Sequence, residues 1–235
     1  MAPELKLELI RRSELFKGVD EKVLTHLATF GLMVQLKKGQ VLFRKGDAGD
    51  ALFGVYSGKM AISILGPKDK KVWLNVMEPG EFLGEIAFLD GSPRTADASA
   101  LEACRLLKIE RRDFLPFLDQ DPQLVRHLLS LLCERVRWSN GIIEDAWFFD
   151  FSARLAKRMI GLTYAHGIES DDGILIDVRL SQSDLGHMSG GSRESVNKEL
   201  KRWEASGWIG KSDGYYVVKN TSALSKLVAI AAEEA

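Results

Sequence analysis

The feature that most constrains this chain is a line of positions whose spacings alternate between four and three residues. The line lies within 121–149 and consists of Val125, Leu129, Leu132, Val136, Ser139, Ile143 and Ala146. Such spacing is that of the a and d positions of a coiled coil, whose natural partner is the same helix of a second subunit. The sequence therefore predicts a long helix over 121–149 that pairs two copies of the chain.

Ser139 is the polar position of this line, and Asn140 and Gly141 follow it. A glycine inside a helix costs about 1 kcal/mol relative to alanine, so a helix break at these residues is one interpretation. Ile143 and Ala146 resume the helical phase beyond them, which favours a continuous helix. A polar residue at such a seam can set the register of the pair or contact a ligand.

The composition is that of a globular protein in a reducing compartment. The 235 residues carry a net charge of −1, and no apolar run approaches the roughly 18 residues of a membrane span. The first residues lack the pattern of a signal peptide, and Cys104 and Cys133 show no disulfide or metal spacing. We therefore expect a cytoplasmic protein that binds neither a membrane nor a metal ion. Because the net charge is nearly neutral, nucleic-acid binding has to be argued from a local motif.

Between Leu32 and Ile109 the chain shows short β-like runs. They are QVLFRKG, ALFGVYSG, MAISILG, VWLNVMEPG and CRLLKIE, and turns rich in glycine, aspartate and proline separate them. Runs at about ten-residue spacing are typical of an antiparallel sandwich or barrel. Residues 1–30, by contrast, indicate short helical pieces.

The segment WFFDF, 147–151, ends the long helix and begins a third region. We interpret its aromatic rings as a joint that packs one domain onto the next, with a cofactor box as the alternative. Residues 152–166 predict an amphipathic helix with Leu155 and Met159 on its apolar face. The residues that follow, 167–173, indicate an acidic turn.

The stretch LSQSDLGHMSGGSRESVNKELKRWEASGWIGKSDGYYVV, 180–218, predicts a winged helix-turn-helix. Ser181 is a good N-cap for a first helix that ends at a glycine pair, and Ser192 caps a second helix. Two short helices joined by a glycine-containing turn are typical of this motif. The Asp213-Gly214 pair beyond them indicates the β-hairpin of the wing.

The charged face of the second predicted helix has the chemistry of a DNA-reading surface, the alternative being a face that is merely solvated. Arg193 at its start can donate two hydrogen bonds to guanine, and Glu194 can accept one from cytosine. Hydroxyls at helix N-termini suit phosphate contacts. The predicted DNA-binding residues are Ser181, Gln182, Ser192, Arg193, Glu194, Asn197 and Lys198.

The loop FLGEIAFLDGSPRTA, 82–96, holds a carboxylate and a guanidinium nine positions apart, at Glu85 and Arg94. Gly84 and Ala87 have small side groups that let another molecule come close. The loop is therefore either ordinary surface or a cradle for an anion that also carries hydroxyl groups.

The order of a β-rich domain, a long seam helix and a winged helix resembles the bacterial transcription regulators of the cyclic-AMP receptor protein and fumarate–nitrate regulator superfamily. SRESVNKEL is similar to the recognition helix of that superfamily, and FLGEIAFLDGSPRTA to the phosphate-binding cassette of cyclic-nucleotide-binding domains. The resemblance implies an α+β fold. Its parts are a jelly-roll-like β-roll domain over 1–120, a dimerisation helix over 121–149 and a winged helix-turn-helix domain over 150–235.

The resemblance also implies a role for each residue of the cassette. Arg94 is expected to pair with the cyclic phosphate, Glu85 to accept a hydrogen bond from the ribose 2′-hydroxyl, and Thr95 to add a hydroxyl. The backbone of 84–87 is expected to lie against the ribose phosphate, and two residues of the long helix against the purine. The implied nucleotide-binding residues are Gly84, Glu85, Ile86, Ala87, Arg94, Thr95, Ser139 and, from the other subunit, Asn140.

The implied function is that of a cyclic-nucleotide-responsive transcription regulator and not of an enzyme. Its homodimer is expected to bind double-stranded DNA at a TGTGA-like palindrome, with half-sites about 34 Å apart, and to contact RNA polymerase. Asn140 can both donate and accept hydrogen bonds, and Thr95 resembles cassettes that tolerate cyclic GMP. The implied effector is therefore cyclic AMP and/or cyclic GMP.

Two alternatives stay open. The first is a regulator of the same fold that binds DNA without a nucleotide or senses another effector, although Glu85 and Arg94 argue against it. The second is the nucleotide-binding module of a signalling enzyme or channel, for which 235 residues leave no room. The oxygen-sensing branch of the superfamily needs an N-terminal cysteine group for an iron–sulfur cluster, and this sequence has none.

Overall fold

The computed structural model describes residues 3–67 and 70–233. The described residues form two compact units, one of 3–65 with 73–138 and one of 66–67 and 70–72 with 139–233. The elements follow the predicted order of short helices, a β-rich segment, one long helix and a helix-turn-helix with a wing. The mixed α+β fold class is therefore confirmed.

Short helices open the first unit and bury one face in its core. They are α1 (Pro3–Arg12), a 3₁₀ turn (Glu14–Phe16) and α2 (Glu21–Phe30). The Asp20 carboxylate caps α2 because it accepts the Lys22 N–H at 2.7 Å. Ile10 and Leu27 are fully buried in the same apolar cluster as Leu107 of the β-rich segment. The predicted helical pieces are thus part of the first core.

The β-rich segment forms two four-stranded sheets. Its strands are β1 (Leu32–Leu36), β2 (Val41–Phe43), β3 (Ala51–Ser57), β4 (Met60–Leu65), β5 (Lys71–Met77), β6 (Phe82–Leu83), β7 (Asp97–Ala100) and β8 (Cys104–Glu110). The strand orders are β1-β8-β3-β6 and β2-β7-β4-β5, with antiparallel pairs such as Val34↔Leu106 and Ile62↔Ala98. Leu106 of the first sheet and Met60 and Ala98 of the second share one buried cluster. The two sheets therefore enclose a common core, as predicted for an antiparallel sandwich.

Helices follow the sheets along the chain. The short α3 (Glu85–Asp90) lies between β6 and β7, and α4 (Arg111–Leu118) follows β8. The long α5 spans Pro122–Phe148 without a break, so the continuous helix is confirmed and the interruption after Ser139 is excluded. The Asp121 carboxylate starts α5 and accepts the Gln123 N–H at 2.9 Å.

The apolar line of α5 is exposed in the single chain. Leu124 and Leu128 are buried in the first core, whereas Leu129, Val136 and Ile143 are 55%, 58% and 55% exposed. Contiguous exposed apolar residues mark interaction surfaces. This face of α5 is therefore available to a partner.

The second unit packs helices against a third sheet. Its elements are α6 (Phe151–His166), β9 (Gly167–Ser170), β10 (Gly173–Ile176), α7 (Gln182–Ser189), α8 (Arg193–Ala205), β11 (Ile209–Ser212), β12 (Tyr215–Val218) and α9 (Thr221–Glu233). The strand order is β11-β12-β10-β9. Leu155 and Met159 of α6 are fully buried with Leu185 of α7 and Trp203 of α8, which confirms the predicted amphipathic helix.

Within 167–173 the acidic turn that the sequence indicated is present but short: Asp171 and Asp172 form it, and the residues on either side belong to strands. The segment contains β9, which pairs antiparallel with β10 in a register that joins Gly173 to Ser170 and Ile176 to Gly167. All residues of β9 are exposed. The strand therefore lacks the buried alternation by which a sequence pattern reveals strands.

The aromatic segment 147–151 is a helix junction with exposed rings. Trp147 and Phe148 are 81% and 56% exposed, so the prediction that these rings pack one domain onto the next is wrong for both. The Asp150 carboxylate starts α6 by accepting the Ala153 N–H at 2.7 Å. The acid of this segment thus caps a helix, and its leading rings lie at the surface.

Two further properties concern membranes and metals. Among the described residues, no helix combines the length and the apolarity needed to cross a bilayer. Within the same part of the chain, no group of three or more His, Cys, Asp or Glu side chains is placed to hold a metal ion. Cys104 is buried and Cys133 exposed, and both are free thiols.

Alanine substitutions at two glycines of the second unit are expected to change its stability in opposite directions. Gly161 lies exposed inside α6 and a Cβ there would meet no described atom within 4 Å, whereas a Cβ at Gly191 would overlap the Phe151 ring. We predict that Gly161→Ala raises the free energy of unfolding by about 1 kcal/mol, because alanine is the better helix former. Gly191→Ala is expected to lower it by about 1–3 kcal/mol through overpacking. Thermal unfolding of the two variants measures both effects, and a stabilising Gly191→Ala would contradict the packing of this turn.

Candidate functional site

The loop 82–96 is shaped by glycines at both ends of α3. Gly84 precedes the helix with φ 88°, and Gly91 ends it with φ 73°, a left-handed region that other residues adopt at a cost. The chain then returns through Arg94, whose N–H donates to Asp47 O at 2.8 Å, while the Gly46 N–H donates to Arg94 O at 2.9 Å. The loop between β2 and β3 therefore holds the backbone of Arg94.

Arg94 lies buried beneath this loop, and the residue is only 4% exposed. Nη1 donates to Gly84 O at 2.7 Å and Nη2 to Ala51 O at 2.6 Å. The guanidinium carbon lies 4.3 Å from the centre of the Phe43 ring, within the range of a cation–π contact. In the described part of the chain, Nε has no hydrogen-bond partner.

No ion pair neutralises this cation within the described residues. Burial lowers the pKa of Arg94, and nearby carboxylates, with Asp50 foremost, oppose the shift without contacting the guanidinium. Carbonyl dipoles and an aromatic face stabilise a cation but leave its charge uncompensated. A buried guanidinium in this state has the charge and the hydrogen-bonding capacity that suit an anion.

Glu85, the first residue of α3, is the second buried charge of the loop and is 5% exposed. Its Oε1 lies 3.6 Å from Arg135 Nε on α5, and Arg135 Nη2 also donates to Phe82 O at 3.4 Å. Glu85 therefore has an oppositely charged partner in Arg135, whereas Arg94 has no ion pair within the described residues. Sequence reasoning missed Arg135, because nothing in the spacing of α5 distinguishes it from its charged neighbours.

Close approach explains why small residues surround the two charges. A Cβ at Gly84 would overlap Arg94 Nη1, and a Cβ at Gly49 would lie 2.8 Å from Ala87 O. Gly49 is a second residue that sequence reasoning missed as part of this loop, since 38 positions separate it from Ala87. The structure thus brings Gly84 and Glu85 close to the buried guanidinium of Arg94.

The other predicted nucleotide-binding residues are distributed between the two units. Ala87 is buried, and Ile86 and Thr95 are exposed in the same loop of the first unit. Ser139 and Asn140 are exposed side chains of α5 and belong to the second unit.

The helix-turn-helix forms through reciprocal caps. Ser181 Oγ accepts the Asp184 N–H at 3.1 Å, and Asp184 Oδ2 accepts the Ser181 N–H at 2.8 Å, which is a capping box. Gly190 ends α7 with φ 70°, and Ser192 Oγ accepts the Ser195 N–H at 3.1 Å to start α8. The predicted caps and turn are therefore present.

The predicted DNA-binding residues lie at the start of α7 and within the first two turns of α8. Val196 is buried and fixes the inner face of α8, so that Arg193, Glu194 and Lys198 are exposed. The Glu194 N–H and the Ser192 hydroxyl lower the pKa of Glu194, which keeps this carboxylate an acceptor. These groups present donors and an acceptor at one end of an exposed helix.

A hydrogen bond and a hairpin complete this surface. Gln182 Nε2 donates to Asn197 Oδ1 at 3.1 Å and so joins the first turn of α7 to α8. The turn between β11 and β12 has φ 49° at Asp213 and φ 87° at Gly214, which is typical of a two-residue hairpin loop. The predicted wing is confirmed.

Comparison with protein families matches both parts of the chain. The model of the cyclic nucleotide-binding domain matches residues 33–121, and that of the Crp-like helix-turn-helix domain matches residues 153–227. The first match contains the loop of Glu85 and Arg94, and the second contains α7, α8 and the wing. Together they account for most of the chain.

Relatives and a solved structure agree with these matches. The CRP-like cAMP-activated global transcriptional regulator of Mycobacterium tuberculosis (strain ATCC 25618 / H37Rv) is 29% identical over 202 residues, which cover 86% of this chain and 90% of the relative. The cyclic AMP receptor protein of Thermus thermophilus is 27% identical over 220 residues, 93% of this chain and 98% of the relative.

The structure of the c-di-GMP-responsive regulator CLP of Xanthomonas campestris aligns with a TM-score of 0.75 at 20% identity, over 85% of this chain and 99% of that one, and shares the fold. The relatives are transcription regulators and not enzymes. With its nucleotide-binding β-domain, long helix and Crp-like helix-turn-helix, the chain belongs to the cyclic-AMP receptor protein superfamily of transcription regulators.

Proposed function

We propose that the chain is a homodimeric regulator that binds a two-fold DNA site when cyclic AMP and/or cyclic GMP occupies the loop 82–96. The observation that carries the proposal is the buried Arg94 guanidinium, which has carbonyl partners but no ion pair in the described residues. A cyclic nucleotide supplies an anionic phosphate and a ribose hydroxyl, the two groups that Arg94 and Glu85 are suited to bind.

In the proposed complex, Arg94 pairs with the cyclic phosphate and Glu85 accepts from the ribose 2′-hydroxyl. The Arg135 contact leaves a second carboxylate oxygen of Glu85 to accept that hydrogen bond. The backbone of Gly84, Ile86 and Ala87 lies against the ribose phosphate, and the exposed hydroxyl of Thr95 adds a donor. The phosphate thereby neutralises a cation that is buried at a cost in the free chain.

The purine is read from α5 in this proposal. Ser139 and Asn140 are exposed polar residues on the helix whose neighbouring seam positions are apolar. The Asn140 amide both donates and accepts, so it suits adenine or guanine. The names of the Mycobacterium and Thermus relatives favour cyclic AMP as the first effector.

The exposed face of α5 supports the homodimer. Leu129, Val136 and Ile143 lie at coiled-coil spacing and are more than half exposed. We propose the functional division into a nucleotide-binding domain over 1–120, a dimerisation helix over 121–149 and a DNA-binding domain over 150–235. Two-fold pairing places two copies of α8 on one face of DNA about 34 Å apart, one helical turn of the duplex.

DNA reading is assigned to the exposed end of α8. Arg193 donates to guanine and Glu194 accepts from cytosine, with Lys198 one turn further along. Contacts to the sugar-phosphate backbone of DNA position the motif and come from Ser181, Gln182, Ser192 and Asn197. Together these residues are proposed to recognise a TGTGA-like half-site. RNA polymerase is the further partner proposed for the bound dimer, in the cytoplasm.

The test is fluorescence anisotropy of a labelled TGTGA palindrome titrated with the chain, without nucleotide and with saturating cyclic AMP or cyclic GMP. We expect one nucleotide to tighten binding at least about fivefold, the lower end of common allosteric couplings. A palindrome with one half-site scrambled is expected to bind at least about tenfold more weakly, because one reading head then contacts non-specific sequence.

Binding that is equally tight without any nucleotide would contradict the proposal and favour a nucleotide-independent regulator of the same fold. The variant Arg193→Ala distinguishes a contact with a base from a contact with a phosphate. It is expected to lose about 1–3 kcal/mol of discrimination between the guanine site and a base-swapped site. Uniform weakening on both sites would show that Arg193 contacts phosphate only.

Gly84 and Gly91 form a matched pair for the nucleotide site. Both have left-handed backbones, so Gly84→Ala and Gly91→Ala each cost about 1–2 kcal/mol of stability. A Cβ at Gly84 displaces the Arg94 guanidinium, whereas a Cβ at Gly91 meets Arg111 at an ordinary 3.7 Å. By titration calorimetry, we predict that Gly84→Ala weakens nucleotide binding at least about tenfold, with Gly91→Ala near wild type. Equal affinities in the two variants would contradict the role of Arg94.

A further inference from the structure

Two arginines of α6 bind the carbonyl end of α7, the helix that precedes α8. Arg158 Nε donates to Met188 O and Arg154 Nε to Ser189 O, each at 3.0 Å. Met188 and Ser189 are the last two residues of α7, where helix carbonyls lack partners within the helix. The arginines therefore fix the point at which the chain turns toward α8.

Arg158 also contacts α5. Its Nη2 lies 3.8 Å from Asp145 Oδ2, so one guanidinium faces α5 on one side and the turn of the helix-turn-helix on the other. Asp145 is buried, and its second oxygen accepts from Lys157 Nζ. Burial lowers the pKa of Arg158, and Asp145 opposes that shift.

These groups cost more to bury than apolar side chains would. Removing a carboxylate and a guanidinium from water costs several kcal/mol, and apolar replacements of buried ion pairs are often neutral or stabilising. Core packing alone therefore does not account for Asp145 and Arg158. What the pair supplies is a directed link from α5 to Met188, which apolar side chains cannot provide.

The same unbroken helix carries an ionic contact to the loop 82–96. Arg135 faces Glu85 at 3.6 Å, and Asp145 follows ten positions later on α5. One helix thus supplies Arg135, which faces Glu85, and Asp145, which faces the arginine that binds the end of α7.

We propose that Asp145 is a positioning residue that, through Arg158, makes the orientation of α8 depend on the state of α5. The inference rests on the proposed function, because it concerns how nucleotide binding changes DNA affinity. A positional shift of the end of α5 moves Asp145, Arg158 follows its partner, and the carbonyl end of α7 moves with it.

The experiment measures operator affinity by anisotropy with and without saturating cyclic AMP and cyclic GMP, and takes the ratio as the nucleotide gain. The variants are Asp145→Asn, Arg158→Lys and the matched control Lys157→Gln. Lys157 pairs with the same carboxylate but, within the described residues, makes no hydrogen bond to α7. A purely structural role lowers both affinities or the melting temperature and leaves the ratio unchanged.

We expect Asp145→Asn and Arg158→Lys to reduce the gain about fivefold or more, and Lys157→Gln to keep it within about twofold. Arg158→Lys keeps the positive charge, but one ammonium cannot hold both Asp145 and Met188 O as the planar guanidinium does. If Asp145→Asn lowers the melting temperature, Arg158→Lys still tests the proposal.

A wild-type gain that Asp145→Asn and Arg158→Lys both retain would overturn this inference and leave the proposed function intact. A wild-type gain of one would overturn the proposed function, and the inference with it. The same loss in all three variants would assign the effect to the charge of the cluster and contradict the link through Arg158.

Discussion

The buried guanidinium of Arg94 is the interaction on which the rest of the first unit depends. Two carbonyls hold it, from Gly84 at the start of α3 and from Ala51 at the start of β3, and they reach it because Gly84 has no side chain. The Phe43 ring adds a cation–π contact, but none of these groups compensates the desolvation of the cation as an anionic partner would. The same arrangement leaves its charge for an anion, and the family match assigns this domain to cyclic nucleotides.

The long helix α5 carries residues that contact both the loop 82–96 and α6. It contributes Arg135 to the carboxylate of Glu85, an exposed apolar face, and Asp145 to the arginine that binds the end of α7. Each contact uses a different face or segment of one helix. In the proposed homodimer, a change in how two copies of α5 pair would reach α8 through Asp145 and Arg158. A ligand shifts such an equilibrium only by its differential affinity for the two states.

Elements with a strong periodic or turn signal could be predicted from the sequence. The continuous helix α5, the caps at Ser181 and Ser192 and the Asp213-Gly214 hairpin depend on local residue types, and each is present. Three features could not be predicted because no residue pattern marks them. The strand β9 has no buried face, and the backbone carbonyl of Ala51, which binds Arg94, is a group that every residue has. Arg135 contacts Glu85 although 50 positions separate them. The exposed rings of Trp147 and Phe148 show the converse, that aromatic character alone does not imply packing.

Titration calorimetry of cyclic AMP and cyclic GMP against Arg94→Gln tests the central claim most directly, with Arg111→Gln as its control. Arg111 also binds carbonyls of α3, donating to Phe88 O at 2.7 Å from Nε, but at the opposite end of that helix. The account predicts that Arg94→Gln weakens nucleotide binding by about a hundredfold or more, as expected for a lost buried charge contact, while Arg111→Gln binds like the wild type. Wild-type affinity in Arg94→Gln would contradict it.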